Sequence, residues 1–491
     1  MCPVFACVQI GWGIALTLDH SERTNSMPGD TPAFMPDRTS DVPIFEQICA
    51  SFRGRIRSGA LETGARLPAT RALAGDLGVA RATVVTAYEQ LVAEGYLASR
   101  RGSGYTVCAM GEVELSPGAS AAPAPKLSER GDLLLEAGQP DMRLFPHRAW
   151  AKCVARLCRT RPEDMLTGCG RFGHPELRQA IASHVRDWRG IAARPEQVLV
   201  TSGATEALDI CLHALASAEG RVGVEDPGFP PIRRFAEAQG RRTRDLALDA
   251  QGAEVPRLGD ETDVVVLTPS HQYPLGGAMS AGRRQEFVRW AAQSQGWIIE
   301  DDYDSEFRYA GRPIPALAGV DGQGRTVYIG SFSKIFSNSL RMGYIVAPEG
   351  LIDRLAQAMR MKGARASAMP QAALAEFMQR GEFYRHLRRV RRTYAERHRT
   401  LIERLRRDFA DVGHVEDHHA GMQVVLHLRP DLCDRAITAA ARAGGVGVES
   451  LSTYSRRSGA YNGVVLGACL NDLEEQAEAL TRLRRAISST G

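Results

Sequence analysis

Residues 109–129, AMGEVELSPGASAAPAPKLSE, concentrate Ala, Pro, Ser and Gly and hold almost nothing that a core could bury. No single hydrophobic core can run through such a segment, so the chain must fold as separate bodies on either side of it. Its proline-bearing part is semi-extended, and at roughly 3.1 Å per residue the linker reaches up to about 65 Å. The larger body begins near residue 130 and the smaller one ends near residue 108. No apolar run approaches the roughly 20 residues of a membrane-spanning helix, so an integral membrane protein is excluded. A net charge of +4 is too small for a polycation, and any nucleic-acid binding must come from a local arrangement of charge.

Residues 1–40 are expected to be a disordered extension. Pro3 to Leu18 is fairly apolar, but no Lys or Arg precedes it and Gln9, Gly11 and Gly13 interrupt it, unlike a signal peptide. From residue 41 the texture changes. Ile44, Ile48, Phe52 and Ile56 are spaced four apart, which predicts a helix ending at Gly59. A breaker-rich turn, Gly64-Ala65-Arg66-Leu67-Pro68, precedes a short helix over Arg71–Leu77, and after Gly78 a longer helix runs over Arg81–Glu94. Ala74, Gly78 and Val84 stand where a helix-turn-helix needs a small contact residue, a turn glycine and a buried branched side chain. Tyr96 to Val107 then reads as a two-stranded wing with a basic, glycine-tipped turn.

The string GALETGARLPATRALAGDLGVARATVVTAYEQLVAEGYLASRRGSGYTV resembles the winged helix-turn-helix of the GntR regulators, over about fifty residues without a gap. The resemblance implies that Arg71 and Arg81 contact phosphates or base edges, that Ala82 and Thr83 face the major groove, and that Gly102 brings the wing backbone near the minor groove. Arg66, Arg100 and Arg101 complete the implied DNA-binding set. Arginine suits the task, because its planar fork clamps phosphates and reads guanine edges with two hydrogen bonds. Val85 stands where many GntR relatives carry a further arginine.

From Gly131 onward, short apolar runs alternate with amphipathic helical patterns. Gln197–Thr201, Arg221–Glu225, Asp263–Thr268, Trp297–Asp301 and Thr326–Ile329 are the strand candidates, which argues for a mostly parallel α/β sheet covered on both faces. Four constellations lie at their carboxyl ends, where open α/β sheets keep ligands. Ser202-Gly203-Ala204-Thr205 opens a helix and makes an anion cradle. Glu300-Asp301-Asp302-Tyr303-Asp304 clusters carboxylates that suit a cation or an electron-poor ring, with a divalent metal held by Asp301, Asp302 and Asp304 as the rival. Thr268 to Gly276 is a polar loop with turn chemistry. Gly330-Ser331-Phe332-Ser333-Lys334, with Arg341 following, sets a lysine just past a buried strand, where desolvation can make it a Schiff-base amine. Only four lysines exist in the chain (Lys126, Lys152, Lys334 and Lys362), so the candidates for such chemistry are few. The ten cysteines show no CxxC pair or regular spacing, which fits reduced thiols in a cytoplasmic protein.

Together these constellations resemble the fold type I aminotransferases that bind pyridoxal 5′-phosphate (PLP). The strings EDPGF, TPSHQYPLG, WIIEDDYDSEFRY and SFSK resemble more narrowly the MocR regulators, GntR-type winged helices fused to an aminotransferase-like domain that ends in a smaller C-terminal subdomain. The resemblance implies Lys334 as the amine of the internal aldimine, Asp301 as the partner of the pyridine nitrogen, and Tyr303 on the ring 3′-oxygen with Gln272 or Tyr273 nearby. Ser202, Gly203, Ala204, Ser331 and Arg341 are implied to hold the phosphate, Ser333 lies beside them, and Phe229 is the candidate for stacking on the ring. No metal site is assigned.

The pattern departs from the enzymes in one respect. Tyr461 to Cys469 carries no arginine where aminotransferases grip the substrate α-carboxylate, and Arg456 and Arg457 just upstream are the available substitutes. The basic run from Arg385 to Arg392 keeps Leu387, Val390 and Tyr394 at helical spacing, which predicts a solvated helix face with acidic partners. The expected function is a homodimeric regulator that binds a double-stranded DNA operator and senses an amine, an amino acid or PLP itself. The alternative is an active aminotransferase carrying an accessory DNA-binding domain.

Overall fold

The computed structural model describes residues 34–100, 104–109 and 133–490. Residues 1–33, Arg101, Gly102 and positions 110–129 of the expected linker lie outside them. The chain divides into two units, residues 1–127 and 128–491.

In the first unit, the fourfold apolar spacing produces α1 (Ile44–Arg57), which buries Ile48, Phe52 and Ile56. Gly59 follows it at φ +74°, the left-handed conformation that commonly ends helices. α2 (Thr70–Asp76) and α3 (Arg81–Ala93) follow, with Gly78 at φ +61° in the turn between them. Ala74 and Val84 are both buried, so the helices pack where the spacing placed them. Strands β1 (Leu97–Arg100) and β2 (Gly104–Val107) pair antiparallel, with Leu97 opposite Val107 and Arg100 opposite Gly104. Tyr88 on α3 meets Phe52 at 5.7 Å and Tyr105 at 4.8 Å, both edge to face, which locks helices and wing into one core.

The second unit is built on eight strands: β3 (Val198–Thr201), β4 (Arg221–Asp226), β5 (Arg242–Asp249), β6 (Gly252–Ala253), β7 (Thr262–Leu267), β8 (Trp297–Asp302), β9 (Thr326–Ser331) and β10 (Gly343–Val346). Their order is β3-β10-β9-β8-β7-β4-β5-β6. β4, β5, β7, β8 and β9 run parallel, and β10 lies antiparallel between β3 and β9. Alternation sends Val264, Val266 and Ile299 to one face, under helix Ala204–Leu215, and Val265, Leu267 and Ile298 to the other, under helix Ala281–Ser294. The sheet is therefore apolar on both sides.

The long helix Glu382–Asp408 leads out of this layer. It buries Leu387, Val390 and Tyr394, while Arg385 pairs with Glu382 at 2.6 Å on the outside. It delivers the chain to a four-stranded antiparallel sheet of β11 (Gly413–Val415), β12 (Gln423–Leu428), β13 (Glu449–Ser450) and β14 (Gly463–Gly467), in the order β11-β12-β14-β13. Helices Asp434–Ala443 and Leu473–Thr490 pack with it in a core that includes Leu426, Ile437, Leu466 and Leu483.

Candidate functional site

Connecting loops converge beyond the carboxyl ends of a parallel sheet, and there the second unit holds a cavity of about 360 Å³. β3 leads into Gly203, Ala204 and Thr205 on its wall, at the start of helix Ala204–Leu215. Gly203 sits at φ +111°, which few side-chain-bearing residues adopt. β10 presses on the same turn, and a Cβ on Gly343 would lie 2.6 Å from the Gly203 carbonyl carbon. β8 contributes Asp301 and then Tyr303, β9 ends on Ser331, and the next turn supplies Ser333 and Lys334. Arg341 lines the cavity from a left-handed backbone, φ +48°, and its guanidinium has no protein partner among the described residues. Phe229 and Tyr273 stand edge to face on a further wall, 5.2 Å apart.

The electrostatics of the cavity centre on two groups. The Lys334 ε-amine donates to the Gly138 carbonyl at 2.5 Å, and burial holds its pKa below the ordinary lysine value. Asp301 is enclosed by protein yet faces the cavity, and its Oδ1 has no hydrogen-bond partner. Burial first, and then the carboxylates of Asp302, Glu225 and Asp304, push its pKa up to about 7, with Lys334 pulling the other way. The Tyr303 hydroxyl accepts from Gln423 Nε2 at 2.9 Å and pairs with His271 Nδ1 at 2.8 Å. Burial raises its pKa well above the ordinary tyrosine range, so it is a phenol that can donate.

Two of the sequence-derived candidates do not reach the wall. The Ser202 backbone N–H donates to Glu206 Oε2 at 2.6 Å, so this amide is taken by the helix's own first turn. The Gln272 side chain points back into its loop, donating to the Pro227 carbonyl at 2.9 Å and accepting from the Leu275 N–H at 3.1 Å. Its role is to brace the loop that carries Tyr273. The acidic cluster also separates. Asp302 is buried against Arg189 Nε at 2.7 Å and accepts from the Tyr328 hydroxyl at 2.7 Å, whereas Asp304 accepts from the Met422 N–H at 3.1 Å. Asp301 thus faces the cavity while Asp302 and Asp304 turn to other neighbours, so the three do not share the one centre that the rival metal site requires. Arg456 and Arg457 do not line the cavity; the Arg457 guanidinium turns to Asp226 at 3.5 Å, and the Arg456 backbone N–H donates to the same carboxylate at 3.0 Å.

Sequence reasoning missed Gly138, Gln139, Asn338, Met422 and Gln423 on the cavity wall. Asn338 follows Lys334 closely and donates to Gln139 Oε1 at 2.9 Å, so its place beside the lysine was a readable hint. Gln423 opens β12 and Met422 precedes it, far along the chain, and only the tertiary fold brings them in.

In the first unit, Arg71 and Arg81 are exposed near the N-termini of α2 and α3, and Ala82 is exposed one residue further on. Thr83 is half-buried; Arg66 and Arg100 are exposed, the latter at the end of β1 next to the wing tip. Arg71 thus stands on α2, Arg81, Ala82 and Thr83 at the start of α3, Arg66 in the loop before α2 and Arg100 on the wing.

Comparison with known proteins agrees with both geometries. Residues 132–454 match the family "Aminotransferase class I and II", and residues 45–107 match "Bacterial regulatory proteins, gntR family". The chain is 37% identical to the probable rhizopine catabolism regulatory protein MocR of Rhizobium meliloti, over 92% of this chain and 95% of that protein. It is 34% identical to the pyridoxine biosynthesis transcriptional regulator PdxR of Corynebacterium glutamicum, over 94% and 100% respectively. Among solved structures, LysN, an α-aminoadipate aminotransferase of Thermus thermophilus complexed with N-(5′-phosphopyridoxyl)-L-leucine, superposes with a TM-score of 0.67 at 26% identity, covering 74% of this chain and 93% of LysN. A multiple substrate aminotransferase from Thermococcus profundus gives 0.68 at 23% identity, over 74% and 93%. The chain belongs to the MocR-type transcriptional regulators, DNA-binding proteins that join a gntR-family helix-turn-helix to an aminotransferase-like domain.

Proposed function

We propose that the cavity binds pyridoxal 5′-phosphate and that its occupancy sets the DNA affinity of a homodimeric, cytoplasmic regulator. One observation carries this reading: a desolvated lysine amine and a carboxyl oxygen with no partner face the same cavity. A protonated pyridine nitrogen is the donor that Asp301 Oδ1 lacks. Arg341, the amides at Gly203 to Thr205 and the Ser331 and Ser333 hydroxyls offer an anion cradle for a phosphate. Tyr303 can hydrogen-bond a ring oxygen, and Phe229 or Tyr273 can cover a ring face. When bound, PLP supplies an aldehyde for an amine and a ring that withdraws electrons. The LysN complex, with a phosphopyridoxyl ligand, supports the assignment.

A second feature favours sensing over turnover. Arg341 is the one guanidinium on the described cavity wall, and a phosphate claims it. An α-amino acid that enters then lacks a charge-assisted anchor worth on the order of 1.5–3 kcal/mol. The names of MocR and PdxR link those relatives to rhizopine catabolism and pyridoxine biosynthesis, so an amine, an amino acid or PLP itself is the effector class.

The test is the visible absorption of protein mixed with PLP, compared with Lys334→Ala. A band that borohydride reduces, present only with Lys334, is the expected result, and its absence would remove the cofactor assignment. Amines and amino acids should shift the band without release of a keto acid; bleaching with stoichiometric keto acid would make the protein an aminotransferase.

A further inference from the structure

Five of the chain's twelve histidines fall within one short stretch: His398, His414, His418, His419 and His427. Along the first part of that stretch, His414, Glu416 and His418 alternate with Val415 and Asp417, which puts every second side chain on the same side of an extended segment. Val415 points into the core and is buried, while His414 and Glu416 are exposed. Across the ladder His427 on β12 is the direct register partner of His414 on β11, and the two imidazoles stack at 5.0 Å with their planes 15° apart. Ligating atoms of His414, Glu416 and His427 all lie within 4.8 Å of one another.

A second observation comes from beneath this surface. Glu416 and His427 also line a small cavity of about 10 Å³, together with His271, His398 and His418. That volume is close to the size of one water or ion. His271 is 4% exposed, and its Nε2 has no hydrogen-bond partner. His418, which also lines this cavity, has its Nε2 3.5 Å from Glu416 Oε2. Nitrogen and carboxylate donors thus converge on one edge of the small sheet from both faces.

From this convergence we infer that His414, Glu416 and His427 form a binding site for one divalent transition-metal ion of the zinc class. Two imidazoles and a carboxylate with open positions left for water are a zinc donor set, and imidazole-rich sites also take copper and nickel, whereas magnesium and calcium prefer all-oxygen cages. Metal–ligand bonds of about 2.0–2.2 Å need ligand atoms about 3.4 Å apart in a tetrahedral site. The present spread of up to 4.8 Å closes by rotamer changes at the exposed His414 and Glu416, which exchange the ring stacking with His427 and the contact with His418 for metal bonds. The cross-strand pairing fixes the two backbones, so the site is preorganised on rigid elements. None of His414, Glu416 and His427 lines the PLP cavity, so the site stands independently of that assignment, although Gln423 borders both the PLP cavity and the small inner one.

The experiment uses the full-length protein without an affinity tag, treated with chelator and desalted. Co²⁺ is added while its ligand-field absorption is recorded, and Zn²⁺ is then titrated in competition. The expected result is one equivalent per chain, with Zn²⁺ displacing Co²⁺. His414→Ala, Glu416→Gln and His427→Ala should each weaken uptake by at least about tenfold. DNA binding and the Lys334-dependent band should persist in all three variants, which separates loss of the site from loss of the fold. Failure to take up a stoichiometric ion would overturn the proposal, and so would uptake that all three substitutions leave unchanged.

Discussion

Lys334 and Asp301 illustrate how one cavity works on two residues in opposite senses. Burial disfavours charge on both: it holds the lysine below its ordinary value and pushes the Asp301 carboxyl up to about 7. The consequence for stability has a definite sign. An unfolded chain releases the Asp301 proton near 3.8, while the folded, cofactor-free chain keeps it until about 7. Between those values the folded state holds the extra proton, so the contribution of this group to stability falls as pH rises through the window. Glu225, buried behind Thr268 and also raised to about 7, adds a change of the same sign. Asp301→Asn should therefore flatten the decline of the melting temperature between about pH 4 and pH 7 in cofactor-free protein, while weakening PLP retention. A melting profile unchanged from the parent would show that Asp301 does not carry its proton into the neutral range.

Among elements, the antiparallel strand β10 and the helix α3 bear the clearest demands. Gly343 on β10 leaves space for the Gly203–Ala204 turn, and a Cβ there would meet backbone at 2.6 and 2.9 Å. Gly343→Ala must displace that turn, at a cost of about 1–3 kcal/mol in stability, and equilibrium dialysis should show PLP held at least about tenfold more weakly. On α3, Arg81→Ala should weaken operator binding by about 1–3 kcal/mol and leave the Lys334-dependent band intact, which fluorescence anisotropy and absorption can read on the same sample. The helices and parallel strands were legible because their periods of 3.6 and 2 are local and their turns carry glycine. Val198–Thr201 and Trp297–Asp302 deviate from the sequence reading by a residue at one end. β10 was not legible, for it is four residues long and its pairing with β3 and β9 is decided by neighbours far away in sequence. For the same reason Met422 and Gln423 escaped notice, whereas Lys334 and Asp301, each at the end of an apolar strand, announced themselves.

At the level of the whole molecule, a DNA-binding unit and a ligand-binding unit on one chain are bound by reciprocity. If PLP changes operator affinity by some factor, operator DNA must change PLP affinity by the same factor, typically 5- to 150-fold where coupling exists. Measuring PLP binding with and without the operator duplex, and operator binding with and without PLP, closes this cycle; two unequal factors would rule out equilibrium coupling between the sites. The succession of the two units was expected from sequence, where Ala, Pro, Ser and Gly crowd residues 109–129. What composition does not reveal is how the second unit begins. Leu134 donates its N–H to Gly445 and Leu135 accepts from Gly467, so the first described residues after the linker are stitched into the C-terminal subdomain. A handful of residues further on is Gly138, whose carbonyl takes the lysine amine. Anything that claims that amine leaves the carbonyl in search of another donor. The group that a ligand would seize is thus bonded to a carbonyl only a few residues beyond the point where the second unit's described chain begins.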